Sequence, residues 1–141
     1  MLILNMFNMS FAKIAVAAIW LYQGLWCKLL RHSPHQAGIV AGVPGLNPNL
    51  ALPTIGAAEF ALAVWVLSGR RGRLAAVVQT MLLAAMNGAG LLWAGRMIAD
   101  PAGMLLQNLA FLCLAWVVAE EPVAEKSAVG EAPRKEHSCA A

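Results

Sequence analysis

Of the seven acidic residues in this 141-residue chain, one, Glu59, stands inside a long apolar run, GAAEFALAVWVL. A carboxylate in hydrocarbon costs at least about 2.5 kcal/mol on insertion scales, so Glu59 must face protein and be paired with a cation, protonated or wetted. In any of those states it can hold a proton or accept hydrogen bonds from a ligand. Three amides, Gln23, Asn87 and Asn108, stand in comparable runs. At 1.5 Å of rise per residue all four polar groups fall roughly 9 to 11 Å inside the outer membrane surface, one from each of four apolar segments. Lys28 lies about one helical turn shallower, on a side chain long enough to reach inward. Tyr22 and Gln107 adjoin members of this belt, although neighbours in a helix face different ways.

Two readings of the belt compete. In the first it is glue: amides and a neutral acid hydrogen bond across helices, with Gly24, Gly56, Gly88 and Gly90 permitting close approach. In the second it lines a small outward-opening polar cavity for a ligand, a quinone headgroup or a proton. The amides alone read as glue. Glu59 reads as functional, because a neutral amide would bind helices together at lower insertion cost, and Lys28 stands open between the two. No catalytic motif accompanies the belt. Cys27, Cys113 and Cys139 form no C-x-x-C pair and read as small apolar fillers or a tail thiol. His32, His35 and His137 lie outside the apolar runs, and the i, i+3 pair lacks an evident third ligand, so no tightly bound metal is expected.

The elements that must carry these residues follow from composition. The chain is 60% hydrophobic and only 12% charged, against about a quarter charged for a soluble domain, so the bilayer is its main solvent. A span needs about 20 apolar residues. The sequence predicts spans at about 11–30, 52–67, 74–93 and 102–119, in an all-α membrane protein built as an antiparallel four-transmembrane-helix bundle. Residues 1–10 form an N-terminal segment, and 120–141 are polar, mixed in charge and too poor in apolar residues to fold, which predicts a disordered tail. Trp26, Trp65, Trp93 and Trp116 stand near span ends as depth markers. The first apolar run is too long for a signal peptide and no A-x-A site follows it, so it is expected to stay in the mature protein.

The links set the orientation. RHSPHQAGIVAGVPGLNPNLALP, rich in Pro, Gly and Asn, reads as an ordered loop or shallow re-entrant segment. SGRRGR is a tight turn, and GRMIADP ends on a proline suited to starting a helix. Lys13, Arg70, Arg71 and Arg73 mark one side, against Lys28, Arg31 and Arg96 on the other. By the positive-inside rule both termini and the arginine turn are expected in the cytoplasm of a bacterial inner membrane. The net charge of +3 then needs no nucleic acid.

The segments WLYQGLWCKLL, GAAEFALAVWVL and DPAGMLLQNLAFL resemble the DoxX-like family of small four-helix bacterial membrane proteins, and the resemblance runs from about Phe11 to Ala119. It matches Tyr22, Gln23, Lys28, Glu59 and Asn108, with Gly24 and Pro101 as backbone features. With Asn87 from the belt, the candidate ligand-binding set is Tyr22, Gln23, Lys28, Glu59, Asn87 and Asn108. DoxX itself resembles the membrane subunit of a thiosulfate:quinone oxidoreductase, and some related domains are fused to Rossmann domains. This chain has neither a dinucleotide fingerprint nor a redox cysteine pair, so neither activity transfers, and a quinone is the one cofactor left open. Three functions stay in play: a non-enzymatic ligand-binding or accessory subunit with a redox-enzyme partner, a proton-coupled transporter working as a homo-oligomer, and a structural anchor.

Overall fold

Three helices open on the same device, a polar residue followed by proline at the first helical position: Ser33-Pro34, Asn47-Pro48 and Asp100-Pro101. Proline fits there because its missing N–H would have no intrahelical partner. Asn47 accepts a hydrogen bond from Asn49 N at 3.0 Å, and Asp100 accepts one from Gly103 N at 2.9 Å. The computed structural model describes residues 2–30 and 32–120. Within them the chain forms α1 (Leu2–Leu21), a π-helical continuation (Tyr22–Leu29), α2 (Pro34–Ala41), α3 (Pro48–Ser68), α4 (Gly72–Ala94), a short 3-10 turn (Gly95–Met97) and α5 (Pro101–Ala119).

Among the described residues four stretches are long and apolar enough to cross a membrane: Ser10–Leu29, Pro48–Ser68, Gly72–Met97 and Pro101–Ala119. Large apolar side chains such as Leu92, Leu106 and Met81 are exposed on their outer faces, as a bilayer permits and water does not. The protein is thus an all-α, multi-pass membrane protein. The second span starts at Pro48, not near Pro53, because Asn47 caps it; Pro53 sits inside the helix and forfeits one main-chain hydrogen bond. Helix α1 begins at Leu2, inside the segment set apart as 1–10. The first link contains a helix, α2, that packs on α3 and α4. The expected disordered tail lies outside the described residues apart from Glu120.

Helix α1 packs on α3 in opposite sequence order, with Lys13 beside Gly69 and Gly24 against Gly56. The contacts of α4 with α5 also run in opposite order, from Gly72 against Ala119, through Trp116 donating to Thr80, to Asn108 donating to Asn87. The turn between α3 and α4 is held by Trp65 Nε1, which donates to Arg70 O at 2.8 Å, and by Gly69 and Arg71 in left-handed backbone conformation. Toward this turn the bundle is packed around Val16, Ala17, Leu62, Ala63, Ala115 and Val118. Toward α2 it is hollow.

Candidate functional site

The hollow half begins where α1 changes winding. Over Tyr22–Leu29 the helix is π-helical, with Leu30 N donating to Leu25 O at 2.9 Å. A π turn closes between i and i+5, so residues five apart stack one above the other as i and i+4 do in an α-helix. Gln23 and Lys28 are five apart, and both line the same cavity. In an α-helix at 3.6 residues per turn they would diverge by about 140°. Tyr22, grouped with the candidate ligand residues, is 58% exposed and lies off the cavity wall, on the outer surface of the bundle.

Lys28 Nζ donates to both carboxylate oxygens of Glu59, at 2.7 Å each. Both residues are buried, at 4% and 1% exposure, so each charge is compensated mainly by the other. The pairing depends on two glycines. A Cβ added at Gly24 would lie 2.7 Å from Gly56 O, and one at Gly56 would lie 2.8 Å from Gly24 O. The helices therefore touch backbone to backbone, and this contact brings Lys28 within reach of Glu59. Gly90 meets only Ile98 and Ile39 at ordinary contact distance, and Gly88 meets nothing, so neither supplies the close approach expected of it.

The cavity has a volume of about 630 Å³, in the range of small-molecule sites. Gln23, Lys28, Glu59, Asn87 and Asn108 all line it, and so does Gln107. Asn108 Nδ2 donates to Asn87 Oδ1 at 2.9 Å, tying α5 to α4. Ile39, Val40, Leu52, Leu83 and Met86 supply apolar wall.

Sequence reasoning missed two contributors. Gln36, on α2, donates through Nε2 to Gln23 Oε1 at 3.1 Å, while its own Oε1 is buried without a partner among the described residues. The Ser33-Pro34 start was the available signal that this loop holds a helix. The second is Trp20, whose indole N–H donates to Gln79 Oε1 at 2.7 Å and whose ring meets Phe111 edge to face at 5.4 Å. Trp20 and Phe111 line the cavity and also belong to the packed core, so they form its floor. Among the described residues no three His, Cys, Asp or Glu side chains gather as a metal site would need, and His32 stacks on Trp26 at 4.2 Å.

No curated protein and no solved structure matches the chain. One family does: the profile of the DoxX-like family matches residues 17–116, a stretch that contains every residue of the cavity wall described above. With that match covering more than half of its length, the chain belongs to the DoxX-like family.

Proposed function

We propose that this DoxX-like protein is a non-enzymatic ligand-binding subunit whose α2-side cavity takes a small amphipathic molecule and serves a quinone-linked or envelope redox partner. The observation that carries this reading is the buried Lys28–Glu59 pair in the wall of a largely apolar cavity. Helix glue requires only neutral amides, whereas an ion pair on a cavity wall offers a guest both a strong donor and a strong acceptor. A quinone headgroup, flat and apolar with two carbonyl acceptors, suits the cavity's volume and its mixed lining; Lys28, Gln23 and the Asn87–Asn108 amides are the donors that would hold it. The distribution of lysine and arginine supports placing the α2 end outside and the arginine turn in the cytoplasm of a bacterial inner membrane.

The test is titration of a short-chain quinone into detergent-purified protein, read through quenching of tryptophan fluorescence, since Trp20 lines the cavity. Saturable quenching in the wild type, lost in Glu59→Gln at a temperature at which that variant is still folded, is the expected outcome. Absence of saturable binding in the wild type overturns the quinone assignment, and unchanged binding in Glu59→Gln removes the ion pair from the site. Transport is the second reading, favoured by another cavity that enters from the arginine-turn end and is lined by Gln79, the partner of Trp20. Proton-driven uptake in vesicles, abolished by Glu59→Gln, would replace the subunit reading with this one.

A further inference from the structure

The cavity at the arginine turn has about 530 Å³ and is lined by cations from three parts of the chain: Lys13 of α1, Arg70 and Arg71 of the turn, and Arg73 of α4. Among the described residues the carboxylate on its wall is Glu120. We infer that this cavity binds the phosphate of an anionic phospholipid headgroup.

A topology signal requires only that basic residues flank the spans; it does not require them to surround a common space. Here Arg70, Arg71 and Arg73 do, and three guanidinium groups gathered around one cavity repel one another more than the single Glu120 carboxylate offsets, which favours a further anion among them. Guanidinium groups suit a phosphate in particular, because their planar forks pair two N–H donors with two phosphate oxygens. Trp65 also lines this cavity, and its indole N–H holds Arg70 O at 2.8 Å, which restrains the backbone that presents the arginines. The three arginine side chains would make the contacts; Gly72, Arg73 and Leu74, in the first turn of α4, line the same wall, and that helix has no side-chain cap from Arg71.

Phosphate chemistry alone would accept free phosphate as well as a lipid. The surroundings favour the lipid: Leu67 and Leu74, on either side of the turn, are 50% and 45% exposed and offer apolar surface for acyl chains beside the cationic wall. A phosphodiester lipid of single negative charge then places its head among the arginines and its tails against α3 and α4.

The experiment uses the full-length protein in an uncharged maltoside detergent, with phosphatidylglycerol, phosphatidylcholine or inorganic phosphate added. Lipid retention is read by native mass spectrometry and unfolding by thermal melting. Phosphatidylglycerol should be retained and raise the unfolding midpoint, while phosphatidylcholine should do neither. In the variant Arg70→Gln/Arg71→Gln/Arg73→Gln retention should fall about tenfold or more, the scale of at least one charge-assisted hydrogen bond. Arg96→Gln, beyond the far end of α4, should leave retention unchanged. A stabilisation reproduced in full by inorganic phosphate, with no further gain from phosphatidylglycerol, overturns the lipid assignment. Equal retention of both lipids, or an equal loss in Arg96→Gln, overturns the site.

Discussion

At the scale of single residues the decisive interaction is Lys28 with Glu59. Two desolvated charges gain little over a well-packed apolar pair, but removing one partner strands the other, at a cost of about 3–5 kcal/mol. Lys28→Met should therefore lower the unfolding midpoint sharply, and Lys28→Met/Glu59→Met should recover most of the loss. Thermal melting of the three proteins checks this, and a double variant that melts with or below the single one would show that the pair is not the source of the effect. A double variant that folds yet binds no ligand would separate the pair's function from its contribution to stability. Glu59 was legible in the sequence because a carboxylate in an apolar run is costly wherever it points. Lys28 was legible as a cation within reach, but its pairing with Glu59 was not, because that depends on how closely α1 and α3 approach, and the distance is set by main-chain contact at two glycines.

At the scale of elements, the four apolar stretches were readable from length and hydropathy alone, because a bilayer imposes both. Boundaries shifted where a cap outweighed a breaker, as Asn47 did over Pro53. The π segment and α2 left weaker traces, since neither changes hydropathy. Yet these two elements supply the polar contact across the cavity between Gln23 and Gln36. The α1–α3 contact yields a direct prediction: Gly24→Ala and Gly56→Ala each force a Cβ to below 3.0 Å from an opposing carbonyl oxygen. Each should cost about 1–3 kcal/mol, the usual range for overpacking, and weaken ligand binding as the helices separate. Gly88→Ala, with nothing within 4 Å, is the matched control and should melt like the wild type.

For the whole molecule, the two cavities enter from opposite ends and come within about one helical turn of each other. On α4 the wall passes from Gln79 to Leu83, and on α5 from Ala115 to Phe111, each a step of about 6 Å. The layer between them is centred on the Trp20–Gln79 hydrogen bond, and both side chains are 2% exposed. Orientation can be checked in intact cells with single cysteines in a background lacking Cys27, Cys113 and Cys139. His35→Cys, on α2, should react with a membrane-impermeant maleimide, while Arg70→Cys should react only after permeabilisation. Reaction of both before permeabilisation would refute the four-crossing arrangement.

The winding of Tyr22–Leu29 has a consequence for the family as a lineage. A π turn accommodates an additional residue without lengthening the span or altering its hydropathy. A relative that lacked one residue between its glutamine and its lysine could wind this stretch as an ordinary α-helix and still stack the two, because four residues on in an α-helix is nearly the same face as five on in a π-helix. Loss of one residue from this octet should therefore spare the buried charge pair only where the winding also reverts to α-helical.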